Sequence, residues 1–200
     1  MGTTKSLIHL SGRPLIAWQL AMLEQVEDIR IVVGFQAEAV IHAALACRRD
    51  LTFVFNHDYL HTKTAASLAL GARHAPGMVL SLDGDLLVHP DDLATFLSLD
   101  EESLGYGVPS TQEPVLVQIE ERSSGQWVTR FSRTEGAYEW TGLVQLRADR
   151  ITYTGGHVYE LLEPHLPLKG LLVRSCEIDT PSDYDAAQNW VKEHLAGRVL

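Results

Sequence analysis

Short β-branched runs, each closed by a turn residue and followed by an amphipathic stretch, constrain this chain most. Ile29-Arg30-Ile31-Val32-Val33 is stopped by Gly34. Leu51 to Phe55 is stopped by Asn56. Met78 to Leu82 is stopped by Asp83-Gly84-Asp85. Between them, Gln36 to Ala46 and Ala65 to His74 read as helices, the second closed by Pro76-Gly77, and Pro90 to Leu99 makes another. Upstream, Gly12-Arg13-Pro14 is a turn feeding a helix, with Pro14 at the first helical position. Ile16, Leu20 and Leu23 then recur at helical spacing. Strands alternating with helices imply βαβ units and a parallel sheet. Right-handed crossovers put the helices on both faces.

The second half changes rhythm. Val115 to Glu121 and Trp127 to Ser132 flank Ser123-Ser124-Gly125, the pattern of an antiparallel hairpin. Gly142 to Leu146 and Leu171 to Ile178 read as strands, and His157 to Leu162 as a short helix. Thr180 is placed to cap a last helix, with Pro181 at its first position and Asp183 and Asp185 in its first turn. Tyr184, Ala187, Val191 and Leu195 form that helix's apolar face. The expectation is one α/β domain over residues 1–200, a parallel core with a hairpin insertion.

Composition removes several function classes. The net charge is −10, from 16 Lys plus Arg against 26 Asp plus Glu, which argues against a general nucleic-acid binder. Local bases can still hold a small anion. No apolar run is long enough to span a bilayer, and residues 1–10 lack the apolar core of a signal peptide. Cys47 and Cys176 lie far apart with no Cys-x-x-Cys pair, so they read as free thiols in a reducing, cytoplasmic setting. The chain holds no Gly-x-Ser-x-Gly elbow and no Walker A loop, which weakens hydrolase and P-loop readings.

Chemistry gathers at the ends of the expected strands. Ligands of open parallel sheets bind beyond the carboxyl ends. A carboxylate from Asp83-Gly84-Asp85 is well placed there for Mg²⁺, which takes one or two carboxylates and completes its shell with water and phosphate oxygens. Gly84 lets the backbone come close to a ligand. Read alone, the same three residues serve equally as a solvated acidic turn. Asp179 also follows a strand and would complete such a site; alone, it reads better as flanking a helix N-terminus. Lys5 could hold a phosphate as a point charge, or be a solvated lysine. Asn56 to Tyr59 and Thr62 to Ser67 could line an acceptor pocket or cap a helix.

The order of these segments is more specific than any one of them. Lys5 to Ile16, Lys-Ser-Leu-Ile-x-Leu-x-Gly-Arg-Pro-Leu-Ile, resembles the segment after the signature loop of nucleotidyltransferases of the sugar-phosphate and phosphocholine type. Ile31-Val32-Val33-Gly34-Phe35-Gln36-Ala37-Glu38 is similar to their second strand and glycine turn. Asn56 to Tyr59 with Thr62 to Leu68 resembles the choline-phosphate cytidylyltransferase branch. Leu82-Asp83-Gly84-Asp85 matches the metal-binding Gly-Asp. Trp140-Thr141-Gly142-Leu143 resembles the segment that approaches the acceptor. Glu177 to Tyr184 matches the C-terminal metal motif.

The resemblance implies a Rossmann-like, nucleotide-diphospho-sugar transferase fold of GT-A type: a three-layer sandwich with a mostly parallel sheet and a β-hairpin insertion. It implies that Asp85 and Asp179 hold Mg²⁺ between them, close together at the sheet's carboxyl edge. Lys5 would contact the acceptor's phosphate, and Asn56, Ser67, Trp140 and Gly142 would line the acceptor or nucleotide pocket. The implied reaction moves a nucleoside monophosphate, CTP favoured as donor, to a phosphocholine-like or sugar 1-phosphate acceptor, releasing pyrophosphate. Trp140 could meet a quaternary ammonium through a cation–π contact, or simply pack. The implied partners are the triphosphate and the small acceptor, with no nucleic acid and no membrane; a homo-oligomer stays open. One departure stands at the start. The family's first strand and its Gly-rich, arginine-bearing loop do not precede Lys5, and Thr4 stands where proline is usual. The expectation is therefore an N-terminally truncated domain that turns over poorly. The alternatives are an inactive relative that binds a small ligand or partner, and a GT-A-type glycosyltransferase, which also uses Asp-x-Asp metal sites.

Overall fold

Each β-branched run becomes a strand and each Ala-rich stretch a helix, within a residue or two of the expected ends. The computed structural model describes residues 2–153 and 155–197; residues 1, 154 and 198–200 of the expected domain lie outside these. A 3₁₀ turn at Lys5–Leu7 leads to β1 (His9–Leu10), β2 (Arg13–Pro14) and α1 (Leu15–Met22). Then follow β3 (Arg30–Val33), α2 (Ala37–Leu45), β4 (Thr52–Phe55), α3 (Thr64–Ala72) and β5 (Met78–Ser81). Next come β6 (Leu86–Val88), α4 (Pro90–Ser98), β7 (Ser103–Gly107), β8 (Leu116–Arg122), β9 (Gly125–Ser132) and β10 (Tyr138–Arg147). The chain continues through α5 (Val158–Leu162), β11 (Leu168–Leu172), β12 (Ser175–Glu177) and α6 (Asp183–His194). No helix of the described residues is long and apolar enough to cross a membrane.

The expected parallel pairing is real between β3 and β4, in register from Arg30 opposite Thr52 to Val33 opposite Phe55. The mostly parallel sheet is not. The largest sheet has six strands in the order β5-β10-β7-β11-β9-β8, and a further β8–β10 pairing closes five of them into a ring. Within it only β11 and β7 run parallel; the other pairings are antiparallel. Connectivity is the cause. The two-residue turn between β8 and β9 makes a hairpin, and hairpins give antiparallel neighbours, whereas parallel ones need a crossover.

Two boundaries also move. The single strand expected at Leu171 to Ile178 divides into β11 and β12. At Arg174 the backbone N–H and the guanidinium both donate to the Asp92 carboxylate, and beyond that anchor the chain pairs with β6 instead of β7. The last helix starts at Asp183, not Pro181. The Asp183 carboxylate accepts the N–H groups of Asp179 and Thr180, at 3.0 and 2.7 Å, so the preceding residues form a turn. Pro14 stands one residue ahead of α1.

The apolar faces meet as the periodicity requires. Leu104, Tyr106, Val128 and Val144 of the large sheet pack under α3 and α5 through Ala65, Leu68 and Leu161. Ala187 and Val191 of α6 lie on Leu10 and Trp18. Ile16 and Leu20 of α1 pack with Val33 and Val40 beside β3. Each fully buried Leu, Ile or Val contributes about 1.5–3 kcal/mol over its exposed state.

Candidate active site

Lys5 reaches the site because Gln36 holds the chain's first residues. Gln36 sits in the left-handed region at φ 53° just past β3. Its Oε1 accepts from the Thr4 N–H at 2.8 Å and from the Thr3 hydroxyl at 3.2 Å, and its Nε2 donates to the Gly2 carbonyl. The 3₁₀ turn that follows aims Lys5 across to the loop after β5. There Lys5 Nζ donates to Asp85 Oδ2 at 2.8 Å and to Asp179 Oδ1 at 2.5 Å.

The two aspartates meet because β6 and β12 are paired, from Ser175 opposite Val88 to Glu177 opposite Leu86. That pairing brings the loops before β6 and after β12 side by side, and the Ile178 N–H donates to the Asp85 carbonyl. Gln19 of α1 fixes the first loop by donating to the Asp83 and Leu86 carbonyls, both at 2.8 Å. Asp85, Glu177 and Asp179 each offer a carboxylate oxygen, all within 4.8 Å of one another. The expected closeness of Asp85 and Asp179 is present. Glu177 is the residue that motif matching did not single out as a ligand. Its signal was alternation: Glu177 and Asp179 lie two apart and share a side, while Cys176 and Ile178 between and beside them turn to the core.

Electrostatics separates the acids. Burial, then the Asp85 charge, pushes Asp83 up to about 7. Burial, then the charges of Asp85, Asp179 and Asp83, pushes Glu177 up to about 8. Burial alone would lower the Lys5 ammonium's pKa, but its hydrogen bonds to Asp179 and Asp85 hold it above the usual lysine range. Lys5 thus keeps its charge between two carboxylates, with two further acids beside it that keep their protons to near neutral pH. An all-oxygen, hard donor set of this kind fits Mg²⁺. Asp85, Asp179 and Glu177 would hold the ion, and the cationic Lys5 already stands where positive charge is favoured.

The remaining candidates fall into two groups. Asn56 is buried, and its Nδ2 donates to the hydroxyls of Thr62 and Ser67 at 3.0 and 3.2 Å. Asn56 and Ser67 line the same cleft as Lys5, Asp85 and Asp179, a cavity of about 1150 Å³. Trp140 does not line that cleft. Its ring packs edge-on to Phe131, and its N–H donates to the Leu143 carbonyl at 3.3 Å. Gly142 touches the site from behind. It lies at φ 81°, and a Cβ there would come within 2.6 Å of Asp83 Oδ2. Glycine at this position lets Asp83 press against β10.

Solved structures share this architecture. The inositol-1-phosphate CTP transferase from T. maritima superposes with a TM-score of 0.76 at 21% identity, covering 97% of this chain and 89% of its own. The CTP:phosphocholine cytidylyltransferase from Streptococcus pneumoniae gives 0.70 at 17%, covering 95% and 90%. The nucleoside-diphosphate-sugar pyrophosphorylase from Vibrio cholerae RC9 gives 0.65 at 13%, covering 94% and 93%. At such identities the likeness establishes a common fold. No curated protein matches the chain in sequence. Residues 1–150 match the MobA-like NTP transferase domain, and on that match over three quarters of its length the chain belongs to the MobA-like NTP transferase family.

Proposed function

We propose that this chain is a Mg²⁺-dependent nucleotidyltransferase that uses a nucleoside triphosphate, CTP in the first instance, and a small phosphorylated acceptor of phosphocholine or sugar 1-phosphate type. The observation that carries the reading is the meeting of Lys5 with Asp85 and Asp179, from three distant parts of the chain, at the mouth of one cleft. Family membership supports the transfer, and the names of two relatives of the same fold support CTP as donor.

In the reaction an oxygen of the acceptor's phosphate forms a bond to the donor's α-phosphorus. The bond from that phosphorus to the bridging oxygen breaks, and pyrophosphate leaves with the electron pair. Such transfer depends on positioning and on neutralising charge. Asp85 and Asp179, with Glu177 adjoining, would hold the ion, which supplies charge neutralisation and orientation of phosphate oxygens. Lys5 swings from its carboxylates to an incoming phosphate, a move its half-exposed position allows. Asn56 and Ser67, already joined to each other, offer donors and acceptors on the cleft wall.

The test is titration of the chain with Mg²⁺ and CTP by calorimetry, alongside pyrophosphate release with phosphocholine, inositol 1-phosphate and glucose 1-phosphate. The expected result is Mg²⁺-dependent CTP binding that Asp85→Asn and Asp179→Asn both abolish, with slow release for one acceptor. CTP binding that ignores Mg²⁺ and both substitutions would overturn the reading.

A further inference from the structure

The gap between Asp85 and Asp179 is held rigidly, and its occupant is not. The two loops are joined by the β6–β12 pairing. The Ile178 N–H donates to the Asp85 carbonyl at 3.3 Å, and the Asp179 N–H donates to the Asp183 carboxylate at 3.0 Å. The backbone of Lys5 is anchored as well. Its carbonyl accepts from the Ile8 N–H at 2.9 Å, and the Thr4 N–H is held by Gln36. What can still move is the Lys5 side chain, a flexible four-carbon stem that is 37% exposed.

That side chain sits where a metal ion would. Lys5 Nζ lies 2.8 Å from Asp85 Oδ2 and 2.5 Å from Asp179 Oδ1. Both oxygens face one gap. A Mg²⁺ ion held by the same carboxylates needs its oxygens at about 2.1 Å. An ammonium and a divalent ion seated together there would repel at near-contact distance. Occupancy by Lys5 and occupancy by the ion therefore exclude each other. The plainer role for Lys5 is a permanent tie between the loops. The main chain already joins those loops, and a half-exposed ion pair adds little to such a junction.

We propose that Lys5 is the resident counter-ion of the acid pair and yields its place to Mg²⁺ when a phosphate group draws the ammonium away, so that metal and phosphate ligand enter the cleft as a cooperative pair. The proposal rests on the metal site of the proposed function and adds its regulation. Metal alone binds weakly, because it must displace an internal cation. Phosphate alone binds weakly, because Lys5 would leave two carboxylates facing each other without a cation. Together, each ligand removes the penalty of the other. The two-state element is one side chain, on the acids or on the phosphate. By linkage, phosphate must raise the affinity for Mg²⁺ by the factor by which Mg²⁺ raises that for phosphate.

The test is calorimetric titration of the metal-free full chain with MgCl₂, with and without inorganic phosphate, for the parent, Lys5→Met and Lys5→Arg. Each titration is run at about 0.1 M and about 1 M KCl, because the higher salt screens all but contact charges. Without phosphate, Lys5→Met should bind Mg²⁺ about tenfold tighter than the parent, within the roughly 5–150-fold range of couplings between sites. Most of that gain should survive the higher salt. Lys5→Arg keeps a cation on the acids and should bind as weakly as the parent. Phosphate should tighten Mg²⁺ binding by the parent about tenfold, again on the coupling scale, and by Lys5→Met far less. A second readout needs no variant. The ¹⁵N resonance of the Lys5 ammonium should move to that of a free lysine at low Mg²⁺ only once phosphate is added. Equal Mg²⁺ affinity in parent and Lys5→Met would overturn the proposal and leave the metal site standing. So would weaker binding by Lys5→Met, the mark of a structural tie, or a gain that vanishes at high salt. Equal tightening by phosphate in both chains would overturn it too. If neither chain binds Mg²⁺ with or without phosphate, the metal site itself fails, and this proposal with it.

Discussion

The two flanks of the cleft are built on opposite principles. One flank is β5, bonded to β10 of the large sheet, with the separate two-stranded β6–β12 pair beside it; it carries Asp83, Asp85, Glu177 and Asp179. The other is β3 and β4, a two-stranded sheet joined to the rest by helix packing and a few polar anchors such as Arg30 on α3. The first concentrates like charges and is held by main-chain ladders, which side-chain electrostatics cannot easily unzip. The second carries apolar packing and few charges. Lys5 is the tie between them, since Gln36 past β3 holds its segment and the acids hold its ammonium. The proposed chemistry and the apolar packing thereby lie on different sides of one cavity.

Substitutions on the acid flank should cost function far more than stability. Asp85→Asn is expected to reduce Mg²⁺-dependent transfer about 10²–10³-fold, the scale of losing one charge-stabilising group. Its melting temperature should barely move, because a half-exposed ion pair contributes about 0–1 kcal/mol. Pyrophosphate release and thermal unfolding measured on the same sample check the split. A large drop in melting temperature would show that the acids also hold the flanks together.

The apolar flank should behave the other way. Leu20→Ala removes a buried side chain, 5% exposed, from the cluster under β3, and is expected to cost about 2–5 kcal/mol. Amide exchange should rise first in β3 and β4 and leave β7 and β10 protected. Uniform acceleration through the large sheet would mean that the flanks unfold as one unit and that the contrast between them is only chemical.

This contrast also explains what could be read from the sequence. The β3–α2–β4 unit was legible to within a residue because β-branched runs and Ala-rich stretches are local signals. So was the hairpin of β8 and β9, from its turn. The partner of each strand was not legible. Met78 to Ser81 looks like the core of a parallel sheet, but among the described residues its one neighbour is β10, more than sixty residues on and antiparallel. That pairing depends on how β10 closes on β7 and β8, which no local pattern encodes. β6 and β7 were missed altogether; β6 has only three residues and β7, Ser103–Gly107, carries two glycines. In the site, the aspartates stood out through ordered motifs. Trp140 stood out equally, and it packs against Phe131 outside the lining of the cleft, since an aromatic side chain in a strand has the same signature in a wall and in a core.

Within the acid flank, Glu177 and Asp83 give stability a pH dependence of definite sign. Glu177 rises from 4.5 to about 8 on folding, so between those values the folded state binds more protons than the unfolded one. Stability therefore falls as pH rises through that window. Asp83, raised from 3.8 to about 7, adds to the fall. Metal-free Glu177→Gln should match the parent near pH 4 and melt higher at pH 8, by about 2–4 °C, the shift from about 1 kcal/mol in a chain of this size. Mg²⁺ should bind more weakly as pH drops below 8, because the ligand carboxylates must lose protons. An unchanged melting difference across pH would place Glu177 in ordinary solvent.

The smallest expected effect has the opposite sign and lies at the far end of β6. His89 is 3% exposed, and its Nδ1 accepts from the Asp91 N–H at 3.3 Å at the start of α4, a bond only the neutral ring can make. Burial, helped by the Arg174 charge, lowers its pKa below the ordinary 6.5. The unfolded state then binds more protons than the folded state just below that value. Stability from His89 is complete above pH 6.5 and is lost as pH falls through the depressed folded pKa. His89→Asn keeps a helix-capping acceptor and removes the titration. It should flatten the acid-side loss by about 1–2 °C, the effect of roughly half a kcal/mol, while leaving the alkaline-side fall from Glu177 intact. If the His89→Asn substitution flattened both limbs, the buried end of β6 and the acids at the cleft mouth would be coupled through the β6–β12 pair. The charged flank would then respond to pH as a single element.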